Sequence, residues 1–222
     1  MKKRDNKILC RRQRAIRKRL DRGNFPDHDG PVMNTPNIHY EMAERTRAIE
    51  CGGIGAFHTL CENVGLPSKI NRNVDVLNRY LPYHESDHVL NISYNTLTGG
   101  KCLEDIENHR SNEAYLDALG ALRIPDPTTA GDFTRRFGRC DVCDLMESLN
   151  EARELIWRRT IPKRARDLAI LDIDGVVAET TGECKQGMDI SYNGIWGYHP
   201  LIISLENTGE PIYLVNRSGN RP

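Results

Sequence analysis

The sequence predicts an α+β protein, helical through residues 40–162 and stranded from 163 to 222. Three observations carry that expectation. Apolar residues recur at i, i+3 and i+4 through the middle of the chain, from Met42 and Ile49 into the stretch 53–60. The period then changes at Leu168-Ala169-Ile170-Leu171-Asp172-Ile173-Asp174, a short apolar run ending in acids, as in a buried strand. Charge is also uneven: the 222 residues carry 31 basic and 31 acidic groups, yet residues 1–30 hold 11 basic against four acidic. A net charge of zero therefore conceals a +7 arm on a −7 body.

The arm and its linker occupy 1–39. Leu9, Gln13, Ile16 and Leu20 fall at helical spacing, which predicts a basic helix. Arg11, Arg12, Arg14, Arg17, Lys18 and Arg19 are its candidate contacts to a polyanion, because cations that neutralise phosphates release condensed counterions. The competing reading is a solvated tail. Gly23, Pro26, Gly30, Pro31 and Pro36 then interrupt the chain repeatedly, as in a linker.

The helical domain spans 40–162, with helices expected near 68–80, 86–97, 101–109, 111–119, 127–138 and 141–159. Leu66-Pro67, Leu81-Pro82, Gly99-Gly100, Gly120 and Ile161-Pro162 read as stops. Asp126-Pro127 opens a helix with a capping carboxylate and a proline at its first position. Phe133 and Phe137 share a face of that helix, beside Arg135 and Arg136, two further candidates for DNA contact. Short helices with tight turns suit a helix-turn-helix, or an ordinary helical bundle with surface arginines.

The last zone holds the strand ending at Asp174, a second strand over Tyr198–Leu205, the turn Asn207-Thr208-Gly209-Glu210 and a third strand over Pro211–Val215. The last two form an antiparallel hairpin.

Composition excludes several classes. With 38% hydrophobic and 28% charged residues the chain is not collagenous, wholly disordered or a membrane bundle. Its longest apolar runs are four residues, where a spanning helix needs roughly 20 and a signal-peptide core about 7–15. A cytoplasmic, nucleoid-associated protein without a membrane partner is expected. Seven cysteines at irregular spacing read as reduced thiols. Cys140-x-x-Cys143 lacks the second pair that structural zinc needs, and reads as a half-buried helical pair.

The chemistry concentrates at Asp172 and Asp174. Residues two apart on a strand face the same side. Two carboxylates there repel unless a cation or shared proton offsets them, and a hard divalent ion prefers such oxygens. Gly175 follows and permits close approach of backbone or substrate.

An ordered series of segments carries a resemblance. Gly99-Gly100-Lys101-Cys102-Leu103-Glu104-Asp105-Ile106 and Pro125 through Phe137 begin it. Leu171-Asp172-Ile173-Asp174-Gly175, Glu179-Thr180, Tyr192 through Leu201, Thr208-Gly209-Glu210 and Arg217-Ser218-Gly219-Asn220 complete it. Over roughly 45–222 the chain resembles bacterial insertion-sequence transposases of the DDE group 1 type. The resemblance implies a helical DNA-binding region followed by the first three strands of an incomplete ribonuclease-H-like core. It implies two Mg2+ (or Mn2+) ions held by two Asp and one Glu, which cut and join phosphodiesters. Asp174 matches the first catalytic and metal-binding Asp, with Asp172 as its neighbour; Val176 stands where the family usually carries Thr. The implied partners are double-stranded DNA at terminal inverted repeats and a homo-oligomer assembled on it. The second Asp and the Glu fall after Pro222 in the family pattern, so the expectation is an inactive amino-terminal fragment whose three strands expose an edge and an apolar face. Such a fragment would act as a non-enzymatic DNA-binding protein. Asp172 through Val177 also resembles the first motif of haloacid-dehalogenase-type phosphatases, with Asp172 as nucleophile and Asp174 as acid/base. Lys185 is the one lysine and Asp189 the one aspartate that follow it.

Overall fold

The structure, a computed structural model, describes residues 3–22, 30–34, 38, 49–78, 82–182 and 185–221. The mixed α+β class is as expected: among these residues are eight α-helices and two three-stranded antiparallel sheets. The chain divides into two compact units, Met1–Ala152 and Arg153–Pro222. The division falls inside one continuous helix, Arg139–Thr160. The helix Lys3–Arg22 lies within the first unit.

That first unit contains α1 (Lys3–Arg22), α2 (Ile54–Asn63), α3 (Leu66–Asn73), α4 (Glu85–Leu97), α5 (Ile106–Arg110), α6 (Glu113–Ala118), α7 (Pro127–Thr134) and the start of α8 (Arg139–Thr160). Its core gathers Met33, Ile54, Leu90, Tyr94, Ile106 and Leu116 with neighbours from α6 and α7, and Ile16 of α1 packs against it. Local chemistry explains the helix starts. Asn112 and Asp126 accept backbone N–H groups of the first turns of α6 and α7, Thr129 N–H at 2.9 Å in the latter. Asp87, at the third position of α4, accepts the His84 N–H at 2.9 Å in a capping box.

Several expected boundaries move. Leu66-Pro67 does not stop a helix; it opens α3, where proline loses no hydrogen bond, after Gly65 turns the chain at φ +68°. α3 then ends at Asn73 rather than 80, because Val74 goes extended and buries its side chain. The 101–109 helix begins as a 3₁₀ turn, Leu103–Asp105, and is α-helical only from Ile106. α7 stops at Thr134, four residues early. Phe137 nonetheless keeps its edge-to-face contact with Phe133, the ring centroids 5.1 Å apart. The stretch 40–48, the Leu81 stop and most of the linker lie outside the described residues.

The second unit carries the end of α8 and two sheets. One is ordered β1 (Leu171–Gly175), β5 (Leu201–Leu205), β6 (Glu210–Val215); the other is ordered β2 (Ala178–Glu179), β4 (Trp196–Tyr198), β3 (Asp189–Ile190). The expected hairpin is present as β5 and β6. The strand expected over 198–205 is instead broken at His199-Pro200, and its two parts belong to different sheets. Proline cannot donate to a ladder and marks the crossing. Pro211 lies on edge strand β6 opposite Ser204, where the register shifts by a bulge. Trp157 Nε1 donates to Glu210 Oε2 at 2.6 Å, tying α8 to β6.

β1 is not the buried strand its apolar run suggests. Leu171 is 52% and Ile173 60% exposed, and β1 forms an edge of its sheet. Among the described residues of this unit no large apolar side chain is fully buried. An exposed edge and apolar face were the expectation, and both are present.

Candidate functional site

Strand alternation and the antiparallel register put Asp172 opposite Ser204 and Asp174 opposite Ile202, so both aspartates stand on one face of β1. Both are exposed. Asp174 Oδ1 accepts the N–H of Gly175 at 2.7 Å. Magnesium keeps several waters and binds through one or two carboxylates, so the donor chemistry here suits one hard cation. It does not meet the requirement of a two-metal centre: among the described residues no three His, Cys, Asp or Glu side chains gather into a metal-holding group.

The side chain that Gly175 lacks would have no room. The space where its Cβ would stand is taken by the His199 ring, with Cε1 at 2.7 Å and Nε2 at 2.8 Å. Alternation places this ring on the face of β1 opposite the aspartates. Two anchors hold it. His199 Nδ1 donates to the Arg221 carbonyl at 2.7 Å, and Arg217 Nε donates to the His199 carbonyl at 3.1 Å. The Arg217 guanidinium also lies 3.4 Å from Nδ1, but a ring nitrogen already donating to Arg221 cannot accept from it, so the shorter bond decides the tautomer. Close approach by substrate at Gly175 is thus replaced by close approach of a side chain. The available signal was a glycine at a strand end with His-Pro at the sheet crossing.

The phosphatase reading gains nothing. Lys185 donates to Thr180 Oγ1 at 2.7 Å, and Asp189 accepts the N–H of Ile190 at 2.8 Å, each a local contact within its own loop or strand.

Of the cations whose burial is described on α1, Arg19 alone stands on the packing side. Leu9, Ile16 and Leu20 are half-buried. On that side Arg19 pairs with Asp117 at 2.6 Å and Gln13 donates to Glu107 at 3.1 Å. Opposite them Lys7, Arg11, Arg14 and Lys18 recur at i, i+4, i+7 and i+11, all exposed, with Arg12 and Arg17 exposed on the flanks. The four ridge cations span about 16 Å of helix axis. Arg135 and Arg136 are also exposed but lie beyond the end of α7, not on it. Arg136 N–H closes a tight turn onto the Phe133 carbonyl at 3.1 Å, and Gly138 N–H is captured by Asp141 Oδ2 at 2.7 Å at the start of α8. Arg135 pairs with Asp132 at 2.6 Å, and Arg136 reaches the Val76 carbonyl at 3.5 Å. As for a helix-turn-helix, α2 and α3 do follow one another across Val64 and Gly65. α3 buries Pro67 and Ile70 and ties Arg72 to Glu151 at 2.6 Å.

The first unit also holds a buried polar cluster that no local pattern in the sequence announces. Glu85, Ser86, Asp87 and His88 are all buried in the first turn of α4. Asp87 accepts from the Val32 and Met33 N–H groups, each at 3.2 Å, besides that of His84, so one carboxylate pins a remote strand of chain to the helix. Burial raises its pKa and the three backbone donors work against that rise. His88 stacks on Phe133 with centroids 4.4 Å apart, and burial, aided by Arg136, lowers its pKa to about 4. His58 is wholly buried with Nδ1 3.0 Å from Tyr94 Oη, and burial lowers it to about 4 as well. These groups hold the helical unit together from within.

No family model, no curated protein and no solved structure matches the chain. No described helix is long and apolar enough to cross a membrane.

Proposed function

We propose that this chain binds double-stranded DNA through the outer ridge of α1 and belongs to a DDE-type transposase, in which Asp174 and Asp172 hold a divalent cation for phosphodiester cutting and joining. The observation that carries the proposal is the division of α1: Leu9, Ile16 and Leu20 turn inward while Lys7, Arg11, Arg14 and Lys18 form one exposed basic row. A charge row separated from a packing face is what phosphate neutralisation requires, since a cation already paired within the protein releases no counterions from DNA. The DNA would be the terminal repeats of an insertion element, and the assembly on it a homo-oligomer.

The catalytic half of the proposal rests on the resemblance together with the aspartate pair on β1. The antiparallel order β1, β5, β6, with the aspartates on its first strand, supports the ribonuclease-H-like part of this reading. A second reading, a DNA-binding protein without nuclease activity, is favoured by one observation: no third carboxylate joins Asp172 and Asp174 among the described residues. Mg2+ or Mn2+ would bind that pair as a single hydrated ion unless further carboxylates are supplied.

Fluorescence anisotropy with a labelled duplex, followed across salt concentration, tests the DNA half. A supercoiled-plasmid nicking assay with and without Mg2+ tests the other. Tight, salt-dependent binding with no nicking establishes the non-enzymatic reading; Mg2+-dependent nicking lost in Asp174→Asn establishes the nuclease. Absence of duplex binding at low salt rejects both.

A further inference from the structure

We propose that Cys140 and Cys143 form a redox-responsive dithiol, closing to an intrahelical disulfide by exchange with a small-molecule disulfide. The expectation of a half-buried pair does not hold: both thiols are exposed and free. They lie three residues apart in the first turns of α8, on one side of the helix. Arg139 and Val142 beside them are exposed too, so the side of the helix that carries both thiols faces solvent, while Asp141 and Asp144 on the other side are half-buried. One CxxC provides two sulfur ligands where structural zinc needs four, and no His, Cys, Asp or Glu group completes such a site among the described residues. Covalent chemistry between the two thiols therefore fits better than metal binding.

The geometry brings the bridge within reach. Helical neighbours at i and i+3 have Cβ atoms about 5–6 Å apart, and a disulfide needs about 3.5–4.5 Å, so closure requires a movement of roughly 1–2 Å. The first turn of a helix can supply it, because its leading N–H groups have no partners within the helix. The core is spared, since the anchors of α8 on this unit lie further along. Asn73 Nδ2 donates to buried Ser148 Oγ at 3.1 Å, and Arg72 holds Glu151 at 2.6 Å. The reaction balances as ordinary exchange. One thiolate attacks the disulfide RSSR and releases one thiol; the second thiolate attacks the protein-bound sulfur and releases the other. The protein loses two electrons and two protons, and RSSR becomes two RSH. Cys10 and Cys102 are also exposed, but neither has a cysteine one helical turn away. The inference is independent of the DNA reading.

The test treats the reduced 222-residue chain with glutathione disulfide, alkylates the remaining thiols and analyses tryptic peptides by mass spectrometry. Residues 140–153 form one peptide carrying both cysteines. It should appear about 2 Da lighter than its reduced form and free of glutathione. The same peptide from Cys143→Ser should instead carry glutathione on Cys140. A wild-type peptide alkylated at both cysteines, or carrying glutathione without a bridge, overturns the proposal.

Discussion

The ring of His199 fills the place where a side chain at position 175 would stand, Nε2 lying 2.8 Å from the position of an added Cβ on Gly175. Strand end and sheet crossing are thereby locked together. The lock needs glycine at one position and a ring held by the Arg221 carbonyl at the other.

Gly175→Ala should accordingly evict the ring and break its bond to Arg221. The expected loss is about 1–3 kcal/mol, the usual cost of overpacking a filled site. Both tryptophans, Trp157 and Trp196, belong to the second unit, so urea unfolding followed by tryptophan fluorescence reports on it directly. An unchanged midpoint would show that His199 moves aside freely.

Asp87→Ala should destabilise the helical unit more than the loss of a single helix cap. It orphans the N–H groups of His84, Val32 and Met33 together. Met33 N–H is buried and costs about 1 kcal/mol or more unpaired, while the part-buried N–H groups of Val32 and His84 cost less, so about 2 kcal/mol is expected. By contrast Asp126→Ala, which removes one cap from α7, should cost about 1 kcal/mol. Circular dichroism melts at 222 nm rank the two, and equal losses would contradict the clamp role of Asp87.

Acid should weaken the helical unit through His58 and His88. Burial lowers both from 6.5 to about 4, so the folded state keeps them neutral while the unfolded chain takes up protons. Their contribution is complete above about pH 6.5 and is lost as pH falls toward 4, by up to about 3 kcal/mol each. Glu62 and Asp87, both raised by burial, act in the opposite sense. Comparing the double variant His58→Gln/His88→Gln with the parent over pH 7.5–4.5 isolates the histidines. A melting temperature whose slope is the same in both proteins would remove them from the account.

Changing Lys7, Arg11, Arg14 and Lys18 to alanine should weaken duplex binding and reduce the salt slope by about 0.9 for each phosphate no longer neutralised, with helicity retained. Arg19→Ala belongs to the other face. Removing its pairing with Asp117 should cost at most about 1 kcal/mol of stability and leave the salt slope nearly unchanged. If Arg19→Ala lowered the slope as much as the ridge changes, the two-face division of α1 would be wrong.

Much of the fold is legible in the sequence where the causes are local. Asp126-Pro127 announces α7 because a capping carboxylate and a fixed proline φ act within four residues. The hairpin of β5 and β6 is readable because strand, turn and strand are contiguous. Pro67 is ambiguous for a related reason. A proline ends one helix or opens the next, and only the left-handed Gly65 before it decides which. The aspartate pair is visible as a spacing, but its exposure is not. An apolar run looks the same in sequence whether its strand is central or at an edge.

By itself the sequence determined the class of the protein, the basic arm and the shared face of Asp172 and Asp174, because period and charge are properties of neighbouring residues. Tertiary structure alone decided that α1 turns Arg19 inward and a row of cations outward, that Asp87 reaches back to Val32 and Met33, that the chain changes sheets at His199-Pro200, and that Gly175 makes room for an imidazole. Each of these depends on groups brought together from distant positions, and no local propensity encodes which distant partner will satisfy a buried charge or fill a vacant Cβ.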